Sequence, residues 1–589
     1  MLKKFFISML GTIAGLWIVF AILFLLGVTS MASLFASKSD DLKIDDNSVL
    51  YINLSGEIPE RKQAVDIWQV LRDEQSDADA LCDIVLSIRA AANDSKISGI
   101  YIDADGAALG TASREEIVSA LEDFKASGKW IVAYADSYSQ GDYMVSCLAD
   151  SVFLNPLGSV NVRGIATSVP FFKKMLDKVG VKVQVVRVGT YKSAVEPFMA
   201  EQMSPASRLQ SQQLIDTMWT YMADVVSTNR NVNHSAIDVW ADSMMFTRPA
   251  EYALKQGAVT SLKYRRQIED YIRTICFVDD DDDLPLVTPS QYIALNKTLK
   301  GSKNIKRDHI AVLYAVGDIV DDGEGGIVGK TMVPQIIDLA NDDNVKGLVM
   351  RVNSGGGSAF ASEQIWEALE YFKSKGKPFY VSMGDAAASG GYYISSGADM
   401  IFADRTTLTG SIGVFGLIPD FSGLVTDKFG IKFETVTTNA NATFPSGVES
   451  MTPLQYAAMQ SSVEDIYDTF TKRVATGRKM SQDSVKAIAE GRVWVGSAAV
   501  KLGLVDQLGG LNDAVKAMAG KLGIDDDCLV AYPQVDESVF AQILKAATQD
   551  ANVGGIKVDA YTLRLARFIE YLHRMPYVQA RMIPMEFDN

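Results

Sequence analysis

Leu348-Val-Met-Arg-Val-Asn-Ser-Gly-Gly-Gly-Ser358 is an apolar, β-rich run that ends in a glycine turn, with a helical pattern directly after it. Three further pieces follow: Phe372-Lys-Ser-Lys-Gly-Lys377, Ala388-Ser-Gly-Gly-Tyr392 and Ala398-Asp399. The same order of pieces occurs earlier, as Ile100-Tyr-Ile-Asp-Ala-Asp105, Phe124-Lys-Ala-Ser-Gly-Lys129, Ser139-Gln-Gly-Asp-Tyr143 and Ala149-Asp150. Where the later copy has Ser389, the earlier has Gln140. Further on, Asp177-Lys-Val-Gly-Val-Lys182 matches Asp427-Lys-Phe-Gly-Ile-Lys432, and counting forward sets Lys192 against Ala442. A serine survives in one copy and a lysine in the other. This complementary loss predicts one active site assembled from both halves.

Working outward, Ser48–Leu54 and Ile310–Val316 are apolar runs that open the two halves. Each half then reads as alternating helix and strand, with amphipathic helices over Arg114–Ser127 and Ala361–Ser374 closed by Gly128 and Gly376. Further strands are expected over Ile131–Tyr134 and Phe379–Ser382, and over Ser151–Leu154 and Met400–Ala403. Such alternation predicts parallel β-α units, hence an α/β fold built as a tandem repeat. Ser204-Pro205 and Thr452-Pro453 predict the capped starts of two longer helices. The division expected is an N-terminal tip and anchor (1–40), a first repeat (45–295), a second repeat (305–545) and a helical tail (546–589) with a last helix over Tyr561–His573. Acidic, proline-bearing sequence places the link between repeats near 280–305.

A chain of 589 residues exceeds one core, and its 48% apolar content supplies two. The formal charge of −16 argues against nucleic acid as a partner, since phosphate binding needs clustered Lys and Arg. The run Asp279–Asp283 lacks the spaced ligands and glycine of a calcium loop and reads as a solvated loop. The four cysteines are dispersed without a zinc or disulfide pattern, so neither metal nor cofactor is expected. None of the three histidines lies near the repeat motifs, which weakens a Ser-His-Asp arrangement. Lys3 and Lys4 precede an uncharged run from Phe5 to about Val28. That length suits a membrane-spanning anchor better than a cleaved signal, with the N-terminus cytoplasmic and the body across the membrane.

Chemistry is expected at the glycine turns. Amides near Gly356 and Gly357 could form an oxyanion hole, or the run could be an ordinary strand-to-helix turn. Ser389 stands at a second strand-to-helix junction, where a serine can present its oxygen and the Gly390 amide can donate. Ala-Ser-Gly-Gly alone is weak evidence. Ser411, in Thr409-Gly-Ser-Ile-Gly413, is either a turn residue or a polar partner. With histidine scarce, Lys192 in Gly189-Thr-Tyr-Lys-Ser-Ala194 is the candidate base. It can act only when neutral. Lowering a lysine from about 10.4 toward 7–8 by burial costs about 4 kcal/mol.

Together, Arg351-Val-Asn-Ser-x-Gly-Gly-Ser358, Ala387-Ala-Ser-Gly-Gly-Tyr392, Leu408-Thr-Gly-Ser-Ile-Gly413, Gly189-Thr-Tyr-Lys-Ser-Ala194 and Glu490-Gly-Arg-Val-Trp-x-Gly496 resemble the bacterial signal peptide peptidase A (protease IV) family in its long, two-repeat form. The resemblance covers essentially the whole chain. It implies a Clp-protease/crotonase-like fold in each repeat and a Ser/Lys dyad split between them. It also implies a homotetramer held in the bacterial inner membrane by an N-terminal transmembrane helix, with the body on the periplasmic side. The implied substrates are peptides, namely signal peptides left after preprotein processing. Carried over by position, Ser389 is the nucleophile, Lys192 the general base and Ser411 the orienter of the amine. Gly356 and Gly390 are the oxyanion donors, with Gly357 the alternative to Gly356. One departure is Gly355, where the family's turn has proline. Two rival readings are a non-proteolytic membrane scaffold and a crotonase-type acyl-thioester enzyme; the anchor counts against the second.

Overall fold

Apolar runs with little polar alternation suit strands buried on both faces. In the first half β1 (Ser48–Glu57), β2 (Ile97–Ala108), β3 (Trp130–Ala135) and β4 (Ser151–Leu154) form such a parallel sheet, flanked by short strands Leu286–Val287 beside β1 and Ser261–Leu262 beside β4. Successive residues alternate between the faces. Leu50, Ile52, Ile100, Ile102, Ile131 and Ala133 pack against α1 (Leu81–Asn93), α2 (Thr111–Lys125) and α3 (Gln140–Ser146). Val49, Tyr101, Val132 and Tyr134 face Ile268 and Ile272 of the helix Arg265–Cys276. This computed structural model describes residues 44–62, 79–279, 282–296, 307–323, 325–524, 529–531, 578–582 and 587–588. The expected membrane-spanning run and the helix expected over 561–573 lie outside them. Among the described residues no helix is long and apolar enough to cross a membrane.

Past β4 the chain forms β5 (Lys182–Val188), which pairs not with its own half but antiparallel with a strand of the other. Then comes α4 (Pro205–Arg230), whose first turn is capped by Ser204 accepting from Ser207 N, with proline at its first position.

The second half repeats the plan. Its β6 (His309–Val316), β7 (Val345–Ser354), β9 (Phe379–Ala388) and β10 (Met400–Ala403) lie between short strands Leu529–Ala531 and Gln507–Leu508. Along that path the order repeats the first sheet, but the end of β9 also pairs with Leu408–Gly410, which pairs antiparallel with Val493–Val495, two strands the first sheet lacks among the described residues. Between β7 and β9 the chain makes the short strand β8 (Gly356–Ser358) and α5 (Ala359–Ser374). After β9 comes the short helix α6 (Gly390–Ser395), and farther on β11 (Val414–Asp420) and α7 (Pro453–Gly477), capped by Thr452. The helix Leu511–Leu522 covers the far face through Ala514, Val515 and Met518, as Arg265–Cys276 does in the first half.

A third sheet joins the halves. It runs Ile327–Val328, Ile319–Val320, β8, β12 (Val578–Arg581), β11, β5. Two expectations change here. The tail was read as helical, yet its segment 578–581 is a strand, drawn there by the two unpaired edges of β8 and β11. The link expected near 280–305 also belongs partly to the first half. Leu286–Val287 pairs with β1, and a capping box from Thr288 to Gln291 starts a helix that buries Tyr292 in the first core.

Buried ions hold the two halves together. The Arg351 guanidinium, 1% exposed, donates to Glu60 Oε2 at 3.0 Å, to Ser382 Oγ at 3.0 Å and to Met383 O at 3.1 Å, and it also pairs with Glu116. Glu115 accepts from the Arg405 and Thr406 amides, and Asp385 from Ser113 N and Oγ. Carboxylates of one half therefore cap backbone of the other.

Candidate active site

Ser389 lies between the last residue of β9 and the first of α6, and its backbone is strained there. Its φ is +55° and ψ −114°, a region that costs an L-residue about 1–3 kcal/mol. Two bonds hold it: Ser389 N donates to Gly410 O at 2.8 Å, and Ser389 O accepts from Tyr393 N at 2.8 Å. The next residues must be small. A Cβ on Gly391 would stand 2.6 Å from Ser354 O. Ser411 is likewise held at φ +50°, its amide donating to Arg492 O at 2.7 Å.

Lys192 reaches the same point from the other half. After β5 the chain turns through Gly189 and Thr190, where Thr190 N and Oγ1 donate to Glu490 Oε2 at 2.9 and 3.0 Å. Tyr191 N donates to Glu490 O at 2.8 Å. Contact is so close that a Cβ on Gly491 would stand 2.6 Å from Lys192 Cβ. Glycine at 491 thus lets the lysine-bearing turn lie directly on the Glu490-Gly-Arg segment.

The two halves meet at one amine. Lys192 Nζ lies 2.8 Å from Ser389 Oγ, 3.0 Å from Ser411 Oγ and 3.0 Å from Ser411 O. All three side chains are buried, at 1%, 0% and 2% exposure for Lys192, Ser389 and Ser411. Burial holds the Lys192 ammonium well below the ordinary lysine range, since none of its three bonds goes to a carboxylate. A neutral amine has two donors and one lone pair. Donating to the two Ser411 oxygens turns the lone pair to the Ser389 hydroxyl, the orientation that proton abstraction needs.

The glycine amides differ among themselves. Gly356 N donates to Ser354 Oγ at 3.1 Å, which occupies it. Gly390 is close to both: a Cβ on Gly356 would stand 2.6 Å from Gly390 N, and a Cβ on Gly390 would stand 3.1 Å from Gly357 N and 3.0 Å from Ala580 O. At Gly355, where the family turn has proline, a Cβ would meet nothing nearer than Met582 Cβ at 4.0 Å, so space does not explain the exchange. The carbonyl of Gly355 accepts from Met582 N at 2.7 Å.

Several participants escaped the sequence reading. Glu490 was noticed only as part of a motif, and Arg351 only as a motif letter. Strand β12, which passes over the site, carries no motif at all.

Comparison with known proteins agrees with this architecture. A model of peptidase family S49 matches residues 123–274 and 371–525, one stretch in each half, and a Clp protease model matches residues 321–408. The repeat is therefore a tandem α/β fold of the Clp-protease type. Protease 4 of Haemophilus influenzae is 35% identical over 508 residues, 84% of this chain and 82% of that one. Protease 4 of Salmonella typhi is 36% identical over 479 residues, covering 80% and 76%. A chloroplastic serine protease SPPA of Arabidopsis thaliana is 28% identical over 441 residues, covering 74% and 64%. With both repeats matched by the family model and most of each bacterial relative covered, the chain belongs to peptidase family S49, and it is a serine peptidase.

Proposed function

We propose that this chain is a membrane-anchored endopeptidase that cleaves signal peptides left in the membrane after preprotein processing. In this reading Ser389 is the nucleophile and Lys192 the general base. Ser389 Oγ attacks the scissile carbonyl carbon while its proton passes to Lys192 Nζ. The C–N bond then breaks, and the lysine returns that proton to the leaving amine, giving an acyl-enzyme on Ser389. Lys192 next takes a proton from water, whose oxygen attacks the ester carbonyl; the C–Oγ bond breaks, the proton returns from Lys192 Nζ to Ser389 Oγ, and the acid product leaves. Ser411 orients the amine. Amides of Gly357 and Gly390, with Gly356 once it leaves Ser354, stabilise the oxyanion.

The observation that carries this reading is the 2.8 Å approach of a buried, carboxylate-free lysine amine to a strained serine. Membrane attachment through residues 1–40, a periplasmic body in the bacterial inner membrane and a homotetramer complete the proposal, supported by the apolar N-terminal run and the family resemblance. The test is labelling with a fluorophosphonate probe. Ser389 in the wild type is expected to be modified, and labelling should vanish in Ser389→Ala and in Lys192→Ala. Unchanged labelling in Lys192→Ala would refute the lysine as base.

A further inference from the structure

We infer that Glu490 is a positioning residue of the dyad: its carboxylate clamps the turn that carries Lys192 and so fixes the amine against Ser389 and Ser411. This rests on the Ser389/Lys192 reading above.

The first argument is where the segment lies. Glu490-Gly-Arg492 runs directly into the strand Val493–Val495 and belongs to the second half. Its contacts reach both turns of the site. On one side Glu490 O accepts from Tyr191 N at 2.8 Å, and Glu490 Oε2 accepts from Thr190 N and Oγ1. On the other, Gly491 N donates to Ile412 O at 2.8 Å and Arg492 O accepts from Ser411 N at 2.7 Å. A Cβ on Gly189 would stand 2.6 Å from the Glu490 carbonyl carbon, and one on Gly413 would stand 2.8 Å from Gly491 Cα. The segment is thus a wedge between the lysine turn and the Ser411 turn, so tight that one methyl group on either face would collide. Its far end is anchored on α4, where Val493 N donates to Gln210 Oε1 at 2.8 Å and Arg492 Nη2 to Gln213 Oε1 at 2.6 Å.

The second argument is the choice of residue. Glu490 has φ +52°, a left-handed conformation that suits glycine and strains a long side chain. Glycine at 490 would make the same turn and keep the backbone bond to Tyr191. What glycine lacks is the carboxylate, and that carboxylate bonds to Thr190, two residues before Lys192. Strain retained for the sake of one side chain marks a role beyond folding.

The third argument is what the amine requires. Lysine has a flexible four-carbon stem, so its head is placed only as well as its backbone is held. Charge is not the means. Glu196 accepts from Ser204 N and Oγ, Arg581 pairs with Asp318 and Arg492 binds Gln213, while the three bonds of Lys192 Nζ go to serines. Thr190 is exposed whereas Lys192 is buried, so the clamp closes on the boundary between water and the amine. Opening it both misplaces the amine and wets it.

The experiment compares the wild type, Glu490→Gly, Glu490→Gln and Lys192→Ala by hydrolysis of an unstructured apolar peptide across pH, fluorophosphonate labelling and thermal melts. Glu490→Gly relieves the left-handed backbone, so its melting temperature is expected to be no lower than that of the wild type. Its kcat should nevertheless fall by about ten- to a hundredfold with KM unchanged. Its rise of kcat/KM with pH should also move to higher pH, as a wetter amine returns toward the ordinary lysine range. Glu490→Gln keeps an oxygen for Thr190 and should stay within about threefold of the wild type. Full kcat in Glu490→Gly, or equal losses in Glu490→Gly and Glu490→Gln, would overturn the clamp. A kcat loss with a lower melting temperature and an unmoved pH profile would make Glu490 a structural residue only. Unchanged labelling in Lys192→Ala would instead sink the dyad, and the positioning role with it.

Discussion

The two halves share one sheet order, yet at the junction after their third strands they have parted. In the second half β9 runs ten residues to Ala388, and Ser389 is held at φ +55°. In the first, β3 stops at Ala135, and the residue before Gln140, Ser139, caps α3 with φ −64° and ψ 159°, an ordinary extended conformation. Gln140 fills the place of the serine. Its Oε1 accepts from Arg163 N at 2.9 Å and Gly164 N at 3.0 Å, and its Nε2 donates to Gly164 O at 3.1 Å. One copy keeps strain and chemistry; the other has exchanged both for a satisfied amide plug. In the proposed mechanism the first copy, without a nucleophile of its own, serves as the frame that delivers Lys192.

Making the second copy like the first should have the largest effect. Ser389→Gln is expected to lose peptide hydrolysis by on the order of a million-fold, and Lys192→Ala by a comparable factor, because nucleophile and base act as a unit. Adding Gln140→Ser to the Ser389→Gln chain should restore nothing, since Ala442 stands where a second lysine is needed. Measurable turnover in that double variant would break the comparison. The pH profile sharpens it. If Lys192 is the base, activity requires its neutral amine, and kcat/KM is expected to rise with pH through the lowered lysine value and fall below it. The folded chain also binds one proton fewer than the unfolded chain between that value and the ordinary one. Stability therefore rises with pH across the interval, and Lys192→Met should flatten that dependence in thermal melts.

Arg351 and its counterpart Asp103 provide the next test. The buried Arg351 is neutralised by Glu60 and Glu116, whereas Asp103 accepts from Arg265, a side chain 45% exposed, at 2.5 Å. Arg351→Ala leaves buried carboxylates without their cation and is expected to destabilise by about 3–5 kcal/mol, read from denaturant midpoints. Asp103→Ala should cost less, about 1 kcal/mol, because its partner can turn to water. Equal losses would mean the interface is not where the stability lies. Smallest is Ser411→Ala, which removes one bond to the amine, about 1 kcal/mol or roughly fivefold to tenfold in kcat, with KM unchanged.

Much of this was legible in the residues because it is local. Strand and helix alternation, the Ser-Pro and Thr-Pro caps, and the glycine turns are written in adjacent letters; the repeat singled out Ser389 and Lys192, and the Thr409–Gly413 turn with the family resemblance singled out Ser411. What was missed is long-range. Val578-Gln-Ala-Arg-Met582 does alternate apolar and polar residues, but five positions are too few to mark a strand by themselves, and the segment becomes one because two distant edges leave a gap. Leu286–Val287 looked like linker because two residues carry no periodicity, and only β1 makes them a strand. The turn alone leaves Gly356 and Gly357 equal and only the family resemblance favours Gly356 as donor, whereas its engagement by Ser354 Oγ depends on backbone angles that a letter string does not encode.

The order of the two copies along the chain has a consequence in time. Translation delivers the amine first and the alcohol nearly two hundred residues later, and β5 finds its partner β11 only after that. On the proposed mechanism, a polypeptide that stops short of Ser389 therefore lacks its nucleophile. Proteolytic competence, on that mechanism, waits until both copies have been made and joined.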